Sequence, residues 1–319
     1  MKPPWVDARE RRGKSQVSGE VFQGIGQPTQ EIGFQLVRPQ TIEEAIDLLV
    51  RHRTGARLLA GGTDLLVQIR GRKVLPDYVI DLKRIRTLRA DIVQTDSTLE
   101  IGALALLSDI SKDSRILRFF PALAEAVATV GSIQIRNRAT LPGNICNASP
   151  AADTVPALLV HDASVILQGK GGQRLVALAD FFLGPGKTVR REDEIVTHIR
   201  LPLPRLREGT AFERLTRRRG VDLATINLCC RVDESGGTRF AFGAVGPQAI
   251  IAFDPSGRLS KPDVGDQERD GLLRELIAAA SPISDVRATR DYRMAMLLVL
   301  SRRALSRALH RLRAGGEGD

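Results

Sequence analysis

Aromatic residues make up only 4% of this 319-residue chain, histidine occurs four times and cysteine three times. Each shortage excludes something. Cys146, Cys229 and Cys230 are too few and wrongly spaced for a zinc site or an iron–sulfur cluster. Such sparse cysteine fits a reducing compartment, so a cytoplasmic location is expected. His52, His161, His198 and His310 share no ligand spacing, and no metal is expected. No apolar run approaches the length of a membrane span, and Met296–Leu300 belongs to an amphipathic pattern. The first residues are polar and basic without an apolar centre, which does not read as a secretory signal. Residues 1–32 carry Gly, Pro, Gln and charge without periodicity and are expected to form a disordered extension.

One property is in surplus. Lys and Arg number 47 against 37 Asp and Glu, a formal charge of +10. A binder of single-stranded nucleic acid would interleave aromatics with those cations, and here the arginines are spread out. No nucleic-acid partner is expected. An anionic cofactor or an acidic partner protein accounts for the charge more simply.

The stretch Thr129–Leu159 concentrates small polar residues between two apolar helical patterns: Gly131, Asn137, Gly143, Asn144, Asn147 and Ser149. Such residues leave backbone N–H groups uncovered, and a loop of this kind feeding a helix suits an anion. Ser149 and Pro150 read as the N-cap and first residue of a helix running through Val155, Leu158 and Leu159. A second candidate anion loop lies upstream. Leu58–Ala60 reads as a short buried strand that enters Gly61-Gly62-Thr63-Asp64, after which Leu65, Leu66 and Ile69 resume a helical spacing. It lacks the three spaced glycines of a dinucleotide fingerprint.

Elsewhere, Thr41 and Glu44 form a capping box, Ser108 reads as the cap of a polar helix, and Pro121 opens another helix. Strands are expected at Val79–Leu82, Leu99–Ala103, Val165–Leu167 with Leu175–Val176, and Ile195–Leu201. Gly184-Pro-Gly-Lys-Thr188 ends like a phosphate-binding P-loop, but Phe181 stands where that motif needs its first glycine and no helical pattern follows. Nucleoside triphosphate binding there is rejected. The last third reads as three antiparallel strands, Phe212–Leu215, Ala224–Val232 and Arg239–Val245. An irregular stretch at 253–268 follows, then helices over Leu272–Ala280 and Asp291–Leu312. Cys229 and Cys230 point to opposite faces of one strand, which favours packing over chemistry.

Eight segments, in order, carry a resemblance. They are Leu59–Leu66, Val130–Asn137, Ala139–Leu141 with Gly143–Asn144, Asn147–Asp153, Gly184–Thr188, Arg217–Ala224, Phe242–Pro247 and Ser281–Arg287. Together they resemble the flavin-binding medium subunit of the molybdenum hydroxylases, the xanthine dehydrogenase and carbon monoxide dehydrogenase family. The resemblance implies an α+β fold. A PCMH-type, vanillyl-alcohol-oxidase-like FAD domain would span 33–208, with two subdomains split near residue 90. A smaller α+β domain with a three-stranded antiparallel sheet and helices would span 209–315. It implies FAD as cofactor, with contacts from Arg57, Leu58, Leu59, Ala60, Gly61, Gly62, Thr63 and Asp64, and from Thr140, Leu141, Pro142, Gly143 and Asn144. Val130, Asp153, Val196 and Arg214 stand at further family FAD positions.

The implied partners are a [2Fe-2S] small subunit and a molybdopterin-binding large subunit. NAD, oxygen or a quinone would accept the electrons. The chemistry would reside in the cofactor, so no catalytic acid, base or nucleophile is assigned. Two departures stand out. Pro142 replaces a usual glycine and has no N–H, removing one phosphate donor. Residues 249–268 match the family poorly. Two other readings stay open: a self-sufficient flavin oxidoreductase of similar fold, and an interaction module that has lost FAD.

Overall fold

The structure, a computed structural model, describes residues 33–314; the expected extension at 1–32 lies outside them. The first part is a three-stranded parallel sheet, order β1-β3-β2, from strands Gln35–Val37 (β1), Ala56–Leu59 (β2) and Tyr78–Asp81 (β3). Helix Ile42–His52 (α1) connects β1 to β2, and helix Leu65–Arg70 (α2) connects β2 to β3. Thr41 accepts the Glu44 amide at the head of α1 while Glu44 reaches back to the Gln40 amide, so the capping pair forms one residue out of the usual register. Ala45, Ile46 and Leu49 turn inward onto Ile80, Leu82 and Ile85, making a small core of its own.

The second part is a five-stranded antiparallel sheet, order β4-β5-β10-β6-β7. Its strands are Ile92–Gln94 (β4), Thr98–Gly102 (β5), Ser164–Gly169 (β6), Gly172–Ala177 (β7) and Ile195–Pro202 (β10). The helices between β5 and β6 are Leu107–Ile110 (α3), Ser114–Phe119 (α4), Pro121–Ala128 (α5), Ile133–Arg136 (α6), Leu141–Cys146 (α7) and Thr154–Leu159 (α8). Their apolar faces join the sheet in the largest core, around Phe120, Leu123, Leu158 and Phe181. The motif at Gly184–Thr188 is a hairpin between Phe182–Gly184 (β8) and Lys187–Thr188 (β9), closed through Gly184 at φ 145° and Gly186 at φ 70°. No helix follows it.

Three local expectations change. Ser108 lies inside α3, and the polar stretch breaks into two helices because Asp113 accepts the amides of both Arg115 and Ile116 and starts α4. Ser149 caps only one turn, through the Ala151 amide, and the helix proper begins at Thr154. Tertiary pairing wins over local capping there, since the Asp153 carboxylate turns away to Arg214 and Asn227. The supposed long loop before it contains α6 and α7.

The last part is a four-stranded antiparallel meander of Glu208–Leu215 (β11), Ile226–Asp233 (β12), Thr238–Gly243 (β13) and Ile250–Phe253 (β14). The fourth strand joins the three expected ones. Helices Asp266–Ile277 (α9) and Arg290–Ala314 (α10) complete it, α9 starting earlier than its apolar spacing suggested. Leu228, Cys230 and Val232 of β12 pack with Leu297, Leu300 and Ala304 of α10, whereas Cys229 joins Phe212 and Ala241 in the core of the preceding sheet. Period-two alternation thus shares one strand between two cores. Burial pushes the Cys229 and Cys230 thiols far up, as packing residues require.

Candidate functional site: a cleft between two turns

Strand β2 ends at Leu59, and the chain turns through Gly62 at φ 81° before α2 begins. A residue with a side chain enters this backbone region only with strain, so glycine serves the turn. No backbone carbonyl among the described residues takes the amides of Gly61, Gly62, Thr63 or Asp64. Successive amides left open at the carboxyl end of a parallel strand form a concavity for an anion.

The second turn lies against the first. A Cβ placed on Gly61 would sit 2.1 Å from the Arg138 carbonyl oxygen and 3.0 Å from the Ala139 Cα. Backbone meets backbone there, which only glycine permits. Asn147 ties the turns together from the far end of α7: its Nδ2 donates to Asp64 Oδ1 at 3.3 Å, and its Oδ1 accepts from Gln68 Nε2 at 3.2 Å. Burial raises the Asp64 carboxyl above its ordinary range.

A cleft of about 410 Å³ opens between the turns. Of the residues the sequence nominated, Arg57, Leu58, Ala60–Asp64, Val130, Thr140, Pro142–Asn144, Asp153 and Val196 line it. Leu59, Leu141 and Arg214 do not. Leu141 is fully buried in the large core. Arg214 stands behind the wall: it pairs with Asp153 at 3.1 Å, donates to the Thr129 carbonyl at 2.7 Å and also holds the Asp222 carbonyl. Its charge is spent on anchoring Asp153 and the 216–225 loop. Asp153 also accepts from Asn227 Nδ2 at 2.7 Å. Burial raises the Asp153 pKa, with Arg214 and Asn227 acting against that rise.

The second turn is short of free donors. Thr140 is the N-cap of α7, and its Oγ1 accepts the Gly143 amide at 3.1 Å. The Asn144 amide goes to the Thr140 carbonyl and the Leu141 amide to the Ala105 carbonyl at 3.4 Å. Pro142 occupies the first turn of this helix, a place proline favours, and brings no N–H. The amides expected to be uncovered at Gly143 and Asn144 are thus taken by Thr140, and among 140–144 only the Thr140 amide has no partner among the described residues. The Asn144 side chain is held by the Thr154 hydroxyl at 2.7 Å.

Several lining residues were not nominated: Gln68, Cys146, Asn147, Arg190, Asp222 and Leu223. Asn147 and the Asp222-Leu223 pair lie inside motifs already noted. Gln68 and Arg190 carry no local signal.

Comparison with known proteins decides the family. The model of the FAD-binding domain in molybdopterin dehydrogenase matches residues 32–204, and that of the carbon monoxide dehydrogenase flavoprotein C-terminal domain matches 210–308. The chain belongs to the FAD-binding subunits of the molybdenum hydroxylases. As a flavoprotein of that family it is an oxidoreductase component with FAD as cofactor. It is 33% identical over 279 residues to the carbon monoxide dehydrogenase medium chain of Hydrogenophaga pseudoflava, covering 86% of this chain and 96% of that one. It is 30% identical over 285 residues to the xanthine dehydrogenase FAD-binding subunit of Escherichia coli O157:H7, covering 88% and 97%. Among solved structures, carbon monoxide dehydrogenase from Hydrogenophaga pseudoflava superposes with a TM-score of 0.80 at 32% identity, over 87% of this flavoprotein and 98% of that chain. Quinoline 2-oxidoreductase from Pseudomonas putida 86 gives 0.81 at 25% identity, over 87% and 97%.

Proposed function

We propose that this chain is the electron-transfer flavoprotein of a multi-subunit molybdenum hydroxylase, working beside a [2Fe-2S] small subunit and a molybdopterin-binding large subunit. FAD held in the cleft would supply both one-electron and two-electron chemistry, as a link between single-electron iron–sulfur centres and an external acceptor such as NAD, oxygen or a quinone requires. The carrying observation is the open amide row at Gly61–Asp64, pressed against Arg138–Ala139 and facing a cleft. It fits a dianionic diphosphate linker, and Val130 and Val196 offer apolar wall to a ring system. Gly61–Asp64 and Arg57 would hold the diphosphate, and Asp153 would meet a polar group of the cofactor.

The cleft's own titratable groups point away from substrate chemistry in this chain. They are Arg57, Asp64, Cys146, Asp153, Arg190 and Asp222. Asp153 is locked to Arg214 and Asn227, and burial drives the Cys146 thiol up to about 11, with the Arg190 charge pulling against it. The Cys146 thiol is thereby kept from ionising near neutral pH, and the Asp153 carboxylate is engaged by two side chains of this chain. Among the described residues no helix is long and apolar enough to cross a membrane, and all three cysteines are free thiols, in keeping with a cytoplasmic complex.

The test is native co-purification followed by reconstitution. The expected result is co-elution with an iron–sulfur and a molybdopterin subunit, and flavin reduction by the organic substrate only when all three are combined. Reduction of the flavin by an organic substrate with this chain alone would establish a self-sufficient oxidoreductase instead.

A further inference from the structure

The two flanks of the cleft are unequal in donors. The Gly61–Asp64 flank offers open amides and Arg57. The Pro142 flank offers none from 141 to 144: one N–H is absent and three are taken internally. Just before α7 the Thr140 amide alone is open, so an anion spanning the cleft finds one neutral donor on that side and no charge among the α7 amides.

One cation stands there. Arg190 lines the cleft on the segment between β9 and β10. Its Nη1 is fixed by two carbonyls, Arg191 at 2.9 Å and Glu194 at 2.7 Å. No hydrogen bond or ion pair among the described residues engages Nε or Nη2. The charge of Arg190 is felt by Cys146, which also lines the cleft. Cys146 and Pro142 are four residues apart in α7 and so share one face of that helix. A guanidinium pinned at one nitrogen and open at two others is a pre-ordered fork for a phosphate.

We infer that Arg190 is the phosphate-binding residue of the Pro142 flank, supplying to the FAD diphosphate the contact that the α7 amides cannot. The inference rests on the FAD reading of the cleft. It assigns the two flanks different chemistry: backbone amides plus Arg57 on one, a side-chain cation on the other.

The test uses the full chain, titrated with FAD by flavin fluorescence at two salt concentrations, with riboflavin as a phosphate-free probe. Arg190→Met is expected to weaken FAD about tenfold or more and to flatten the salt dependence, leaving riboflavin unaffected. Arg190→Lys forfeits the forked geometry but keeps the charge, and is expected to recover salt-sensitive affinity. Adding Pro142→Gly to Arg190→Met is expected to regain part of the loss by returning an N–H. An Arg190→Met variant that binds FAD like the parent, or a loss equal for FAD and riboflavin, overturns the inference. So does an Arg190→Lys variant as weak as Arg190→Met, which would assign the residue to bracing its loop alone. A parent chain that takes up no FAD at all overturns the cofactor reading itself, a separate outcome.

Discussion

Gly61→Ala adds one methyl group at the point where the two turns touch. Its carbon would fall 2.1 Å from the Arg138 carbonyl oxygen and 2.9 Å from the carbonyl carbon. An unstrained contact of that kind is on the order of 3.3 Å, so the turns must part by roughly 1 Å. Both groups are main chain, and no side-chain rotation relieves the clash. Overpacking of this type costs about 1–3 kcal/mol. If the strain is relieved by spreading the cleft, it appears as FAD binding weakened about 10- to 100-fold. Gly171→Ala is the control, because a Cβ there meets nothing within 4 Å. Flavin fluorescence titration reads the affinity, and thermal unfolding of the apo chain reads any strain left in the fold. A Gly61→Ala protein that binds FAD within about twofold of the parent, with an unchanged melting temperature, would refute the argument that these turns form one cradle.

Three further outcomes are expected. Arg214→Met leaves the buried Asp153 carboxylate without its cation and should destabilise the chain by about 3–5 kcal/mol in urea unfolding, with Asp153→Asn in the same chain recovering part of the loss. Asn147→Ala removes the two side-chain bonds that join α7 to Asp64 and Gln68; at about 0.5–1.5 kcal/mol each, FAD affinity should fall roughly tenfold, measured by the same titration. Glu194 is the pH probe. Burial works against its charge, but the Arg174 guanidinium and the Arg191 amide outweigh burial and hold its pKa below the ordinary value. Folding therefore favours the ionised form, so this stabilisation is present above the unfolded-state pKa of about 4.3 and is lost as pH falls through the folded value. Glu194→Gln should be less stable than the parent at pH 7 and should lose less on acidification, as followed by melting temperature against pH.

Much of this architecture was legible in residue patterns that act locally. The alternation Ile195, Thr197, Ile199, Leu201 became β10, and the glycine pair after Leu59 became the turn with open amides. What escaped depends on partners distant in the chain. Gln68 and Asp64 meet Asn147 across 79 and 83 positions, and no spacing rule reaches that far. Ser149 carries a good cap signature, yet Asp153 is claimed by Arg214 and Asn227, and the helix starts four residues later than Pro150 suggested. Ile250–Phe253 is a short edge strand, half-buried along most of its length, so it shows none of the alternation that marks β12. The donor shortage at Pro142 was partly visible, since proline has no N–H. That Thr140 would also consume the Gly143 amide required the turn itself.

Strand β12 carries a last consequence. Its neighbouring side chains belong to opposite cores, Cys229 to one and Leu228 with Cys230 to the other. Arg214 and Asn227 extend the same dependence to the wall of the cleft through Asp153. The terminal third is therefore no detachable appendage. Severing the chain before Glu208 would strip the flavin-binding half of its inner lining, leaving a fragment expected to aggregate in sedimentation experiments rather than persist as a smaller carrier of the cofactor.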